Sequence, residues 1–231
     1  MTKISIIIPT LNEASYIGRL LEHLLSNSSP DQIQEIIVVD GGSSDGTLEI
    51  VSSFNFVRIV SSEKGRAKQL NKGAQKAESD IFYFLHADSL PPEGFDRLIL
   101  EAISQGAEAG CFRLKFESNH WWLRLAGWFT QFNWKLCRGG DQSLFISKAL
   151  FKDIGGYDES YSIYEDNILI EQLFKRNTHV VIKEPILSSA RRYEYHGIWK
   201  LQYHFWRIHL KHRFGASPHD LLSYYKRHVA C

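Results

Sequence analysis

Short apolar runs alternate with amphipathic segments through the first half of the chain. Runs of this length, bounded by turn residues, are typical of buried strands in a parallel sheet. Between them, apolar residues recur every three or four positions, which predicts helices with one buried face. The predicted strands cover residues 4–9, 36–39, 57–60 and 81–86, and the predicted helices cover residues 13–25, 47–54, 66–77 and 93–104. Asn12 is the predicted N-cap of the first of these helices. Strands that alternate with helices predict an α/β fold with a mostly parallel sheet and right-handed crossovers.

The second half of the chain has a less regular pattern. Strands are predicted at residues 109–116, 143–146 and 179–183, and helices at residues 165–176, 198–213 and 219–228. Neither a linker nor a low-complexity tract separates the two halves. The pattern therefore predicts a single domain with a helical extension at its C-terminal end.

Composition places the chain among ordinary globular proteins. It has 231 residues, of which 44% are hydrophobic and 23% charged, and its net charge of +1 gives no reason to expect a nucleic-acid partner. The three cysteines are far apart, odd in number and without metal-type spacing, so we expect free thiols in a reducing compartment. The sequence shows no signal-peptide pattern and no membrane-spanning apolar run, so we expect a cytoplasmic protein.

Polar residues follow three of the predicted strands and should meet at one edge of the sheet. They lie in segments 9–13, 40–42 and 86–88. Open α/β sheets bind their ligands at this carboxyl edge. The carboxylate of Asp88 suits a divalent cation, which in turn suits a diphosphate. Asp40 can accept hydrogen bonds from a base or a ribose, although its segment is also ordinary turn chemistry.

The loops exclude two common nucleotide-binding patterns and suggest an anion site. Neither a G-x-G-x-x-G nor a G-x-x-x-x-G-K-[ST] sequence is present, which argues against a dinucleotide cofactor and a P-loop. Arg66 lies at the start of a predicted helix, where backbone amides favour an anion. Gln69 and Asn71 interrupt an otherwise Ala- and Leu-based helix and are candidates to face a ligand. The alternative is a solvated helix surface.

Two further acidic segments are candidates for catalysis. Asp141 precedes a predicted strand, and Glu165 and Asp166 open a predicted helix. A carboxylate within reach of an acceptor hydroxyl can act as its general base. The alternative is that acidic residues at a helix start complement the helix dipole.

Taken together, these segments resemble family 2 glycosyltransferases of the GT-A fold, specifically their small soluble bacterial members. The resemblance covers about residues 4–192. The matching stretches, in family order, are IIIPTLNE (6–13), VVDGGSSDGT (38–47), GRAKQLN (65–71), FLHAD (84–88), GDQ (140–142) and ED (165–166). Each stretch is weak alone, whereas six in order indicate a fold and a reaction class.

The resemblance implies a role for each matching position. The nucleotide pocket would be lined by Pro9, Thr10, Asn12, Glu13, Asp40, Gly41, Arg66, Gln69, His86 and Ala87. Asp88 matches the last carboxylate of the family's D-x-D metal motif. Asp166 matches the catalytic base, with Glu165 and Asp141 beside it. The expected reaction is inverting transfer from a nucleoside-diphosphate sugar, most simply a UDP-sugar, assisted by Mn²⁺ or Mg²⁺.

The chain departs from the family pattern at His86, where the first Asp of D-x-D is common. Imidazole suits Mn²⁺ better than Mg²⁺, so the identity of the metal stays open. His196 is a candidate further metal ligand, because a later histidine completes the metal shell in some GT-A enzymes. Arg191 and Arg192 are candidates for binding the diphosphate.

An aromatic segment and a basic tail complete the chain. Trp121, Leu125 and Trp128 fall on one helical face. This face has four possible roles: part of the core, an acceptor groove, a dimer interface or a membrane-facing surface. From residue 191 onwards, the sequence contains eight Lys and Arg residues but only two Asp and Glu residues. Such a tail aids solubility or meets anionic headgroups, so peripheral contact with the inner face of a membrane is an expectation here.

The sequence thus predicts one GT-A domain with three parts. Residues 1–105 form a nucleotide-binding half, residues 106–192 an acceptor and catalytic half, and residues 193–231 a helical tail. The acceptor, whether a saccharide, a lipid or a small molecule, stays open. Two alternatives to a glycosyltransferase are a nucleotidyltransferase of similar architecture and a non-catalytic protein that binds nucleotide sugars.

Overall fold

The apolar runs of the sequence become the strands of one sheet. A computed structural model of the chain describes residues 2–139 and 142–229. Within these residues, eight strands form: β1 Ile4–Thr10, β2 Ile33–Asp40, β3 Val57–Ser61, β4 Ile81–Phe84, β5 Ser89–Leu90, β6 Ala109–Phe116, β7 Leu144–Ser147 and β8 His179–Ser188.

Helices with one buried face connect these strands. The α-helices of the described residues are α1 Ala14–Asn27, α2 Thr47–Ser52, α3 Arg66–Lys76, α4 Phe95–Ser104, α5 Trp121–Phe129, α6 Lys148–Ile154, α7 Glu165–Lys175, α8 Arg191–His196, α9 Ile198–Arg213 and α10 Pro218–His228. In α1, for example, Ile17, Leu20 and Leu24 are fully buried, as their helical spacing predicts.

The strand order of the sheet is β3-β2-β1-β4-β7-β6-β8-β5. β1 runs parallel to β2 and β4, and β2 runs parallel to β3, whereas β7 pairs antiparallel with both β4 and β6. In register, Thr10 lies opposite Asp40, and Ile7 lies opposite Phe84. The segments that follow β1, β2 and β4 therefore leave the sheet at the same edge, where ligands of open α/β sheets bind.

Side chains of β1 alternate between two buried layers. Ile6 and Ile8 contribute to one layer, which also includes residues of α1 and α4. Ile7 contributes to the other layer, together with Leu70 of α3 and Leu169 of α7. Because successive strand residues point to opposite faces, both faces of the sheet are covered by helices.

Some boundaries differ from the sequence prediction. Asn12 does not cap α1, because it adopts a left-handed backbone conformation (φ 57°), and α1 begins only at Ala14 with Glu13 at its N-cap. β4 ends at Phe84, two residues before the predicted end at His86. The helix predicted from residue 93 begins at Phe95, preceded by Gly94 with φ 65°.

Three further features of the described residues bear on the sequence predictions. α6 and α8 were not predicted, because each is too short to show a helical period. Cys111 and Cys137 are free thiols. Among the described helices, none combines the length and the apolar character that crossing a bilayer requires.

Candidate active site

Asp40, the last residue of β2, is almost completely buried and organises the loop that follows it. Its Oδ2 accepts hydrogen bonds from the backbone amides of Gly42 (2.8 Å) and Ser43 (2.9 Å). Its Oδ1 accepts from the hydroxyls of Ser43 (2.5 Å) and Thr10 (3.3 Å). Burial acts to raise the pKa of Asp40, but these hydrogen bonds outweigh it and bring the pKa below its usual 3.8.

These four donors match the acceptor capacity of a carboxylate. A base could therefore reach Asp40 only by replacing one of them, and the rotatable hydroxyls of Ser43 and Thr10 are the donors that can turn away. The contact between Asp40 and a base stays a prediction, and the observed role of this carboxylate is to fix the loop.

The loop after β1 is tied to the loop after β2. The backbone N–H of Asn12 donates to Ser43 Oγ (2.9 Å), and Asn12 Oδ1 accepts from the N–H of Ser44 (2.9 Å). The N–H of Glu13 donates to Thr47 Oγ1 (2.9 Å). The left-handed conformation of Asn12 allows both of its bonds, so the residue that fails as a helix cap instead holds two loops together at the ligand edge.

Gln69 of α3 supports the same two strand ends from below. Its Nε2 donates to the carbonyl oxygens of Thr10 and Val39, each at 2.8 Å. A Cβ at Gly41 would lie 3.0 Å from Gln69 Cδ, so the glycine leaves room for this amide. Gln69 was a candidate to face the ligand. Its described hydrogen bonds hold the ends of β1 and β2 together, and a contact between Gln69 and a nucleotide stays a prediction.

Arg191 joins three distant segments at the edge of the sheet. It donates to both carboxylate oxygens of Glu13 (2.9 and 2.8 Å) and lies 3.1 Å from Asp88 Oδ2. Its guanidinium also covers the ring of Tyr16 at 4.3 Å. Burial acts to lower the pKa of Arg191, but Glu13 and Asp88 raise it above its usual value. Its positive charge is therefore permanent and lies beside the predicted diphosphate position.

Arg192 does not accompany Arg191 to this edge. Its guanidinium donates to Tyr225 Oη (2.8 Å) and lies over the rings of Phe205 and Tyr225. The described contacts thus direct Arg192 towards the C-terminal helices, and only Arg191 of this pair is brought to Asp88.

Asp88 is the main metal ligand predicted from the sequence. Among residues 2–139 and 142–229, no three His, Cys, Asp or Glu side chains gather as a group that could hold a metal ion. Mg²⁺ in proteins often takes only one or two carboxylates, and substrate phosphates and water complete its shell. The half-buried carboxylate of Asp88 fits that arrangement. His196, at the end of α8, lies next to the ring of Tyr195, and its role as a ligand stays a prediction.

Arg66 links the nucleotide side of the site to the predicted catalytic pair. Its Nε donates to Glu165 Oε1, and its Nη2 donates to Asp166 Oδ2 at 2.5 Å. Glu165 is fully buried, and its Oε2 has no hydrogen-bond partner among the described residues. One guanidinium at the start of α3 therefore orients two adjacent carboxylates at the start of α7.

A cleft connects Asp166 to the sheet edge. Pro9, His86, Gln142, Tyr157 and Asp166 all line it. Burial, and next the negative charge of Asp166, raise the pKa of Tyr157 well above its usual 10. Tyr157 is therefore a neutral wall of the cleft, and residues predicted from opposite halves of the chain open onto one space.

A second cavity also has Asp166 in its lining. Cys111, Arg138, Gln142 and His179 belong to it. Arg138 is buried and donates to Cys111 Sγ (3.1 Å) and to two backbone carbonyls. Burial, and next the charge of Arg138, lower the pKa of His179 to about 3, so this histidine is neutral.

The remaining predicted residues are placed as follows. Ala87 is buried, and His86 is partly exposed. Asp141, a catalytic candidate, and its neighbour Gly140 lie outside the described residues. Sequence reasoning named Glu13, Arg66, Asp88 and Arg191 singly but missed how they pair. The available signal was only that oppositely charged residues occupy loops at the same sheet edge.

Comparison with known proteins identifies a family whose model matches most of this chain. Residues 5–171 match the family model described as Glycosyl transferase family 2. The succinoglycan biosynthesis protein ExoA of Rhizobium meliloti (strain 1021) is 27% identical over 192 residues, which are 74% of this chain and 57% of that protein. Across three curated relatives, the chain covers 32–57% of their length.

Solved structures agree on the fold. TarS of S. aureus in complex with UDP superposes with a TM-score of 0.67 at 20% identity, over 82% of this chain and 61% of that one. Mannosyltransferase PcManGT from Pyrobaculum calidifontis, in complex with GDP-Man and Mn²⁺, gives a TM-score of 0.64 at 21% identity, over 89% of this chain and 60% of that one. The GT-A fold predicted from the sequence is confirmed.

Proposed function

The chain belongs to glycosyltransferase family 2, and from this membership we propose that it transfers a sugar from a nucleoside-diphosphate sugar to an acceptor hydroxyl, with inversion at the anomeric carbon. One observation carries the proposal. Arg66, at the start of the helix that supports the nucleotide loops, holds Asp166, and Asp166 shares a cleft with Pro9 and His86. Two residues predicted to line the nucleotide pocket and a candidate base thus line one cavity.

The donor is proposed to be a UDP-sugar. Its nucleoside would lie against the joined loops of residues 10–13 and 41–47, where Asp40 is held rigidly by four donors. Solved structures of similar fold hold UDP in one case and GDP-Man in another, so both nucleotides belong in the test.

The diphosphate is proposed to lie beside the ion pair of Arg191 and Asp88. Arg191 is fixed by Glu13 and supplies a permanent positive charge there. A divalent cation held by Asp88, Mn²⁺ or Mg²⁺, would offset the negative charge that grows on the leaving nucleoside diphosphate. In this arrangement Glu13 is a positioning residue, because it acts through the guanidinium of Arg191.

Asp166 is proposed as the general base. Arg66 orients its carboxylate, which would accept the proton of the acceptor hydroxyl as that oxygen attacks the anomeric carbon. Attack from the face opposite the diphosphate makes the new bond as the bond to the diphosphate breaks, which inverts the anomeric configuration. Glu165 is fully buried and is proposed to fix Arg66 rather than to touch substrate.

The three-part division of the chain is retained as a proposal. Residues 1–105 would bind the donor, and residues 106–192 would supply the base and receive the acceptor. The acceptor itself, whether a saccharide, a lipid or a small molecule, is left to experiment.

Nucleotide release from a panel of UDP- and GDP-sugars, measured with Mn²⁺ and with Mg²⁺, tests the proposal. We expect slow hydrolysis of one donor, abolished by Asp88→Ala because the divalent cation that would neutralise the diphosphate loses its carboxylate ligand. Asp166→Asn should slow release about 100-fold or more, in the usual range for loss of a general base. The exposed Asp31→Asn serves as a matched control and should behave as wild type.

Two outcomes would overturn the proposal. Full activity of Asp166→Asn would remove Asp166 as the base. Tight binding of a nucleotide sugar without turnover, across all donors and acceptors tried, would favour the non-catalytic alternative.

A further inference from the structure

The outer side of α9 presents an unusual aromatic stripe. Trp199, Tyr203, Trp206 and Leu210 are each 51–54% exposed. At 3.6 residues per turn, these four positions fall within an arc of roughly 60° on the helix. Large apolar side chains that are exposed singly are ordinary, but a continuous stripe of them marks an interaction surface.

Two other sides of α9 differ in character, one buried and one basic. Leu201 and Ile208 are buried on the side opposite the stripe. Lys200, Arg207 and Lys211 follow along one border of the stripe, at helical positions roughly 80–120° round from Trp199. The sequence of α9 contains no Asp or Glu.

α5 extends the stripe into a broader surface. Its Trp121 and Trp128 are exposed, and its sequence also lacks acidic residues. The ring of Trp199 lies 5.9 Å from that of Trp121 and 5.2 Å from that of Trp122. We call the surface formed by Trp121, Trp128, Trp199, Tyr203, Trp206 and Leu210 the aromatic face.

α9 also contacts the catalytic segment. Tyr164, which directly precedes Glu165, adopts a left-handed conformation (φ 73°). Its Oη lies 2.8 Å from His209 Nδ1, and its ring packs against the ring of His212 at 4.6 Å. The helix that carries the aromatic face therefore also contacts Tyr164, the residue that directly precedes α7.

We propose that the aromatic face binds the surface of an anionic phospholipid bilayer. Trp and Tyr favour the headgroup region, where the ring is partly buried and its polar atom stays hydrated. Lysine and arginine beside such a stripe add attraction to anionic headgroups. A second copy of the chain is a poorer occupant, because two faces with the same positive border would repel each other.

The proposal does not depend on the transfer reaction, so binding is measured without donor or acceptor. The probe is a set of vesicles, either pure phosphatidylcholine or equal parts phosphatidylcholine and phosphatidylglycerol. The full chain should co-sediment with the anionic vesicles only, with a blue shift of its tryptophan emission. Raised salt should weaken binding, because it screens the charges.

Two double variants separate the apolar and the basic contributions. Trp206→Gln with Leu210→Gln should weaken binding about tenfold or more by removing part of the stripe. Lys200→Gln with Arg207→Gln should weaken it by about tenfold through lost headgroup attraction. The matched controls are Leu25→Gln with Phe56→Gln, and Lys72→Gln with Lys152→Gln, which are exposed side chains outside α5 and α9.

Circular dichroism and sedimentation velocity accompany each variant, so that unfolding is not mistaken for lost binding. Equal binding to neutral and anionic vesicles, or none to either, would overturn the proposal. So would control variants that lose as much affinity as the test variants. Self-association that disappears in the Trp206→Gln, Leu210→Gln variant, without vesicle binding, would instead assign the face to a second copy.

Discussion

At the scale of single residues, His179 shows how the fold sets the ionisation of a buried group. It begins β8, and its Nδ1 lies 3.0 Å from Asn133 Oδ1. Burial and the charge of Arg138 lower its pKa to about 3 from the usual 6.5. The folded protein therefore keeps this ring neutral at pH values where the unfolded chain protonates it.

This difference predicts an acid-dependent loss of stability. The contribution of His179 is present above about pH 6.5 and is lost as the pH falls towards 3, because only the unfolded state gains the proton. Between about pH 7 and about pH 5, it should lower the free energy of unfolding by about 2 kcal/mol. Denaturant unfolding should show this loss in the wild type but not in His179→Gln.

His219→Gln, which removes an exposed histidine of α10, is the matched control and should keep the wild-type pH dependence. An equal pH dependence in wild type and His179→Gln would show that the ring is not held neutral.

The identities of candidate site residues could be read from the sequence, but their pairings could not. Arg66, Asp88, Asp166 and Arg191 were each named from local patterns. Arg66 meets Asp166 across 100 positions of sequence, and Glu13 meets Arg191 across 178. A local pattern carries no information about such separations, since the partner is chosen by how the whole sheet assembles.

At the scale of elements, α3 positions the segment that leads into α7. Asn71 of α3 donates through Nδ2 to the carbonyl of Tyr157 (2.9 Å), and its Oδ1 accepts from the N–H of Tyr157 (2.9 Å). Gly156 has φ 76°, and a Cβ there would lie 2.8 Å from Asn71 Oδ1. The sequence suggested Asn71 as a ligand contact, whereas the structure shows it pairing with backbone.

Asn71→Ala should therefore loosen the segment that carries Tyr157 and, further on, Asp166. Loss of two hydrogen bonds to a largely enclosed backbone should lower the free energy of unfolding by about 1–3 kcal/mol. Turnover should fall about tenfold with little change in donor KM, because the base is displaced while the nucleotide loops keep their own bonds. Steady-state nucleotide release and denaturant unfolding measure the two effects.

The exposed Asn55→Ala is the control and should change neither quantity. If Asn71→Ala raised the donor KM and left the maximal rate unchanged, Asn71 would belong to the donor side after all.

Most elements were predictable because their apolar spacing is strong. Long periodic segments such as α1 and α9 match their predicted ranges closely. The predictions are wrong mainly where a residue type suits two different local structures. Asparagine is a good helix cap, but the side chain of Asn12 accepts a hydrogen bond from the backbone of Ser44 instead. β8 runs to Ser188 rather than residue 183, because its pairing with β6 continues past a register shift after Phe112.

At the scale of the whole molecule, Arg191 joins segments that are far apart in the sequence. Glu13 follows the first strand, Asp88 follows the fourth, and Arg191 begins a helix after the last. Oxygens of Glu13 and Asp88 both lie within 3.1 Å of the same guanidinium nitrogen. The sequence predicted that such residues share a sheet edge, but not that one arginine closes it.

Arg191→Gln should leave two carboxylates facing each other without their cation. We expect the free energy of unfolding to fall by about 2 kcal/mol, as for other partly buried charged hydrogen bonds. Mn²⁺ or Mg²⁺ should then raise the melting temperature of the variant more than that of the wild type, because carboxylate oxygens are good ligands for these ions. Thermal unfolding with and without each ion measures this.

Arg19→Gln removes the exposed pair with Glu117 and is the matched control, for which a loss below about 1 kcal/mol and no metal effect are expected. A loss in Arg191→Gln no larger than in this control would show that the three segments are held by packing alone. Stabilisation by the metal ions that is equal in wild type and variant would show that Arg191 does not compete with a cation for Glu13 and Asp88. Larger stabilisation of the variant would instead show that Glu13 and Asp88 can bind either a metal ion or the guanidinium of Arg191, which occupies this position in the wild type.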